Sequence, residues 1–203
     1  MKKELLKEIK GINFELVTSL YDSTKKEKKN TKDEITPIDY LDKFKLGDKY
    51  KYYENIGKKA IKEGELAVVT MAGGQGTRLG HNGPKGTYDI GLDSHKSLFE
   101  LLSDGIKEEA KKYGVTIPWF IMTSRENNKA TIEFFEKHKY FGYQKDKNIF
   151  FFIQGELPMM DTEGKILIGE DGLIKLAADG HGGIYESLVK TGMTKKMKEL
   201  GVK

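Results

Sequence analysis

The segment AGGQGTRLGHNGPKG, residues 72–86, gathers the residue types that hold phosphate. Six of its fifteen residues are glycine, at 73, 74, 76, 80, 83 and 86. Glycine tolerates positive φ and lets backbone N–H groups close on an anion. Thr77 adds a hydroxyl, and Arg78 and Lys85 add fixed positive charge. Of 35 basic residues only two are arginine, Arg78 and Arg125. An arginine placed inside a glycine run therefore invites a specific reason, and its planar fork matches phosphate oxygens. On residue chemistry alone the segment is a candidate triphosphate cradle.

Three loop types compete for it. A Walker-type phosphate loop needs G-x-x-x-x-G-K-[ST], and no register here supplies it. A dinucleotide-binding turn is closer, because Gly74, Gly76 and Gly80 fit a loose G-x-G-x-x-x-G. That turn must open a helix directly after its strand, and Gly80, Gly83, Pro84 and Gly86 deny one. An ordinary flexible surface loop would not be expected to combine this glycine density with Thr77, Arg78 and a Pro-Lys pair behind a buried strand.

The elements that must position the loop are legible from periodicity. LAVVTM (66–71) reads as a buried strand feeding the glycines. PWFIMTS (118–124) and NIFFFIQ (148–154) read as two more. Residues 96–113 predict an amphipathic helix closed by Gly114, and 126–141 predict a second ending near Gly142. Strand, helix, strand, helix, strand implies a parallel sheet with helical crossovers. Ligands bind beyond the carboxyl ends of such strands, where the loop, Ser124-Arg125 and Gln154-Gly155 all fall. YDIGL (88–92) has the pattern of a short strand. MMDTEGKILI (159–168) reads as a hairpin turning at Glu163-Gly164, and helices are expected over about 183–191 and 194–200. Upstream, helices are expected over 2–10, about 13–29 and 50–63, with 30–49 irregular. This divides the chain into a helical N-terminal region, 1–63, and a domain over 64–203. The fold class is α/β, a Rossmann-like nucleotide-binding domain with a mixed, mainly parallel sheet flanked by helices.

Composition narrows the function classes. The absence of cysteine excludes disulfides, thiol nucleophiles and thiolate metal sites. The apolar runs are too short to span a bilayer and MKKELLKEIK has no apolar signal core, so no membrane is expected and a cytoplasmic setting is. The net charge of +4 resides in residues 1–63, with 16 lysines against 12 acids, while 64–203 balances 19 against 19. The glycine-loop region therefore carries no nucleic-acid footprint. KKEKKNTK (25–32) reads as a solvated loop. Oligomeric state has no signal here.

The loop resembles the GG-x-G-T-R signature, followed by Pro-Lys, of the sugar-nucleotide pyrophosphorylases. LAVVTMAGGQGTRLGHNGPKGTYDIGL, IPWFIMTSRENN, EFFEKHKYFGY, FFIQGELPMM and AADGHGGIYESL occur in the order of the eukaryotic-type uridylyltransferases. PKGTYDIGL, KHKYFG and the shape of DGHGG are similar to the N-acetylhexosamine branch. The likeness covers about 50–203.

That resemblance implies transfer of UMP from UTP to a sugar 1-phosphate, with pyrophosphate leaving. It implies that Met71, Ala72, Gly73 and Gly74 line the uracil and ribose, that Thr77 and the catalytic Arg78 and Lys85 meet the triphosphate, that Gly76 is part of the same substrate-binding loop, and that Gln154 reads the uracil edge. Gly180, His181 and Gly182 would lie between nucleotide and sugar. His181 departs from the N-acetylhexosamine pattern, which has Asn there, and matches the Gly-His-Gly of glucose-type relatives. N-acetylglucosamine 1-phosphate and glucose 1-phosphate therefore both stand as substrates. Mg²⁺ is the implied cofactor, with its Asp ligand expected beyond Lys203. By that comparison the catalytic domain reads as truncated and the chain alone as inactive, a nucleotide-binding module.

Overall fold

The computed structural model describes residues 2–26, 35–180 and 182–203. Packing divides them into two units: Met1–Leu41 with Glu156–Asp179, and Asp42–Gly155 with Gly180–Lys203.

The second unit holds the sheet. Helix α3 (Asp48–Lys62) precedes β1 (Val68–Met71), α4 (Leu98–Tyr113), β2 (Trp119–Thr123), α5 (Asn128–Lys137) and β3 (Ile149–Ile153). Two helices, α6 (Gly183–Lys190) and α7 (Met193–Glu199), close the chain. The three strands are parallel in the order β1-β2-β3, with Val68 opposite Trp119 and Trp119 opposite Ile149. The strands read as unbroken apolar runs because helices cover both faces. Trp119, Ile121 and Ile149 pack with Phe99 and Ile106 of α4 and Phe135 of α5. Phe120, Met122, Phe150 and Phe152 pack with Ile184 and Leu188 of α6 and Met193 and Met197 of α7. Each such side chain buried whole contributes about 1.5–3 kcal/mol. The Trp119 indole N–H is not stranded, since it donates to Thr70 Oγ1 at 2.8 Å.

Local signals set the helix ends. Ser97 and Glu100 form a reciprocal capping box at the start of α4, and Gly114, at φ +67°, ends it. Helix α5 stops at Lys137, short of the expected 141, because Lys139, Tyr140 and Phe141 all take φ near +50°. Left-handed residues with side chains cost roughly 1–2 kcal/mol each; here the turn lays Tyr140 and Phe141 against the Phe135 core. YDIGL forms no strand. It makes one bridge, Asp89 to Ser97, and Gly91 at φ +83° turns the chain away.

Tyr143 lies in this core, its ring centroid 5.8 Å from that of Trp119. Burial pushes its phenol from the ordinary 10.0 up to about 12. The unfolded chain ionises first as pH rises, so this stability is full below pH 10 and is lost between pH 10 and about 12. Tyr143→Phe is expected to flatten that interval in a plot of urea midpoint against pH. An unchanged slope would remove Tyr143 as the cause.

The first unit joins α1 (Lys2–Gly11) and α2 (Phe14–Lys25) to β4 (Glu156–Pro158) and β5 (Leu176–Ala178), an antiparallel pair. The expected hairpin is present, with Met160 bridged to Ile166 and Gly164 at φ +86° in its turn. Tyr21 of α2 packs beneath Gly164 and donates its hydroxyl proton to Thr162 O at 2.8 Å. Ile174 N donates to Glu8 Oε2 at 3.0 Å. The packing division therefore runs differently from 1–63 and 64–203. Residues 156–179 cohere with the N-terminal helices through these long-range bonds, and α3 goes with the sheet, packing on α4. Of the basic stretch 25–32, residues 27–32 lie outside the described residues, as does the end of the helix expected to 29. No helix among the described residues is long and apolar enough to cross a membrane.

Candidate nucleotide-binding site

Strand β1 ends where the glycines begin. Ala72 N still donates to Met122 O at 2.7 Å, and then the chain leaves the sheet. The loop folds back on itself. Gly76 N donates to Gly83 O at 2.9 Å and Lys85 N to Gly74 O at 3.0 Å, so its two arms run side by side. Between them Thr77–Leu79 make one 3-10 turn, ended by Gly80 at φ +69°. Pro84 leads into a second 3-10 turn, Lys85–Thr87. Neither turn is the long helix that a dinucleotide fingerprint requires.

Three side chains that sequence reasoning did not single out, His81, Thr87 and Asn127, brace this loop. His81 packs under Gly76, where an added Cβ would come within 2.8 Å of the ring. Thr87 Oγ1 donates to Pro84 O at 2.8 Å and is hydrogen-bonded with His81 Nε2 at 2.7 Å. Asn127, 1% exposed, donates from Nδ2 to Ala72 O at 2.9 Å and Gly74 O at 3.3 Å. The signal for Asn127 was a polar run, TSRENN, directly after a buried strand. For His81 the sequence offered none.

Gln154 leaves the end of β3, its N–H donating to Thr123 O at 2.8 Å. Its side chain lies directly on Gly73, so closely that a Cβ there would overlap the amide. The next residue, Gly155, donates its N–H to the buried Ser187 Oγ at 2.9 Å, which ties α6 to this edge. Gly180, at φ +84°, and Gly182 form the turn that opens α6. His181 lies outside the described residues.

The glycine-loop residues and Gln154 thus fall on one edge of one unit. Met71 is half exposed and Ala72 buried; Gly73 touches Gln154; Gly74, Gly76 and Lys85 are bonded across the loop. Thr77, Arg78 and Lys85 are exposed. Among the described residues, the side chains of Arg78, Lys85 and Gln154 have no hydrogen-bond or ion-pair partner, and the N–H groups of Gly73, Gly74, Gln75, Thr77 and Arg78 have no acceptor. Five free N–H groups and two unpaired cations can bind a polyphosphate. They do not suit Mg²⁺, and among the described residues no three His, Asp or Glu come together to hold a metal ion.

A parallel sheet with an N–H-lined glycine loop at its carboxyl edge is the arrangement of α/β proteins that bind ligands outside the strand ends. The chain belongs to the UTP–glucose-1-phosphate uridylyltransferase family, whose sequence pattern matches residues 13–203. It is 40% identical over 182 residues to the UDP-N-acetylglucosamine pyrophosphorylase of Saccharomyces cerevisiae, covering 86% of this chain and 38% of that protein. The uridine diphosphate N-acetylglucosamine pyrophosphorylase of Trypanosoma brucei, solved with an inhibitor, superposes with a TM-score of 0.69 at 30% identity, over 85% of this chain and 37% of that one. A UDP-glucose pyrophosphorylase variant of Leishmania major, solved with UDP-glucose, gives a TM-score of 0.55 at 19% identity, over 70% of this chain and 29% of that one. That likeness carries the fold alone. The chain spans under half the length of each of these proteins.

Proposed function

We propose that the chain holds UTP in a uridylyltransferase that moves UMP to a sugar 1-phosphate, foremost N-acetylglucosamine 1-phosphate, releasing pyrophosphate. The observation that carries this reading is the pairing of the Gln154 amide, seated on Gly73 and without a hydrogen-bond partner among the described residues, with the N–H groups and cations of the adjoining loop that are likewise free among those residues. The amide offers one donor and one acceptor to a uracil edge. The N–H groups, Thr77, Arg78 and Lys85 meet the phosphates. The nucleophile, a phosphate oxygen, is already an anion, so the reaction needs alignment and charge neutralisation rather than a general base. N-acetylglucosamine is favoured by relatives of that name at 30–40% identity. The Gly180-His181-Gly182 sequence favours glucose 1-phosphate as the second reading. The cytoplasmic setting belongs to the same proposal.

Calorimetry on the 203-residue chain should show UTP binding in clear preference to ATP and CTP. A chain that binds no nucleotide, or binds all alike, overturns the reading. Pyrophosphate release with UTP and a panel of sugar 1-phosphates then identifies the sugar. UTP binding with no release from any sugar would make the chain a nucleotide-binding module.

A further inference from the structure

Asn127 occupies the N-cap position of α5, where asparagine ordinarily accepts a hydrogen bond from the helix's own second or third N–H group. It makes no such bond. Its Oδ1 instead accepts from Ser124 N at 2.9 Å, while Asn127 N donates to Ser124 Oγ at 3.1 Å. The Ser124 hydroxyl thus meets one helix-end donor, and the Asn127 amide is released from its helix. Its Nδ2 faces the glycine loop, 2.9 Å from Ala72 O and 3.3 Å from Gly74 O, the latter shared with Lys85 N. The residue between those two carbonyls is Gly73, on which Gln154 lies.

We propose that Asn127 is a positioning residue for the nucleotide, acting through residues 72–74. By drawing the carbonyls of Ala72 and Gly74 inward it fixes the wall that Gln154 rests on. With those carbonyls turned in, the N–H groups of the same two peptides, those of Gly73 and Gln75, turn the other way and stay open to an anion. Asn127 itself is buried and touches no ligand. A loop of this glycine content has many competing conformations, and ordering it at the moment of binding would cost affinity. Holding three of its residues beforehand removes part of that cost. The inference rests on the UTP reading above.

Asn127→Asp tests it. The carboxylate keeps an oxygen for Ser124 N but offers no proton to the loop carbonyls. UTP affinity by calorimetry is expected to fall about 10- to 100-fold, as for the loss of two hydrogen bonds. The loss should shrink in a Gln154→Ala background, because the two residues act on one wall. A merely structural role predicts a lower melting temperature, unchanged affinity in the folded protein and additivity with Gln154→Ala. Asn127→Ser, which retains one donor, should give an intermediate loss and replaces the Asp variant should that one fail to fold. Amide NMR separates this inference from the UTP reading. In the variants the Gly73, Gly74 and Gln75 signals should broaden or shift while those of β3 hold, whether or not the wild-type chain binds UTP. Undisturbed loop amides, or UTP affinity within about twofold of wild type, would overturn the proposal.

Discussion

Arg78→Ala is expected to weaken UTP binding by about 10- to 100-fold, and Lys85→Ala by a similar factor, with no loss of fold. A charge-assisted hydrogen bond to phosphate is worth about 1.5–3 kcal/mol, and each 1.4 kcal/mol is tenfold in affinity. Neither side chain has a partner among the described residues, and both are exposed. Their removal should therefore leave the melting temperature within the small range of an ordinary surface substitution. Arg78→Lys should recover part of the loss, since the charge returns without the planar fork. The effect should diminish as salt rises, because partly exposed ion contacts are screened. In an assay that turns over, the loss in kcat/KM should exceed the loss in affinity, since charge on the phosphates redistributes as the α-phosphorus is attacked. Variants of both residues that bind UTP like wild type would remove this loop from the nucleotide site.

Gly73→Ala should separate function from stability in another way. The new Cβ would overlap the Gln154 amide. That amide ends a flexible side chain and has no hydrogen bond to lose among the described residues, so it can swing aside at small cost in stability. Swinging aside takes it from where it would read uracil. The expected result is a near-normal melting temperature with UTP preference over other nucleoside triphosphates reduced by about 10-fold or more, the scale of one lost polar contact. Gly86→Ala is the contrast. Its Cβ would strike the buried Phe99 ring, held among Trp119, Phe134 and Phe135. Overpacking of that kind costs about 1–3 kcal/mol of stability. Equal melting-temperature losses for the two variants would show that Gly73, like Gly86, serves packing rather than nucleotide choice.

Much of this was readable in residue order because its causes are local. Continuous apolar runs at 66–71, 118–124 and 148–154 predict strands covered on both faces, and the observed strands lie within them. Six glycines with Pro84 predict a loop that cannot become a long helix, and it folds into two short 3-10 turns. The carboxyl ends of the three strands predict one edge for the glycine loop and Gln154, since a right-handed crossover allows little else.

What was not readable depends on contacts distant in sequence. The left-handed run at Lys139, Tyr140 and Phe141 defeats a helical pattern because the packing of Tyr140 and Phe141 on the core outweighs their backbone preference. The cohesion of residues 156–179 with α1 and α2 rests on Tyr21 with Thr162 and Glu8 with Ile174, more than a hundred residues apart in the chain. No periodicity reports such pairs. In sequence Asn127 shows only as part of a polar run after a buried strand, and the folded chain turns its amide to the glycine loop because the carbonyls of Ala72 and Gly74 come within reach. The residue types and their spacing thus specified which chemistry the edge could carry. The three-dimensional packing specified which backbone groups remain free to do it, because a buried carbonyl must be satisfied by whatever donor the fold places beside it.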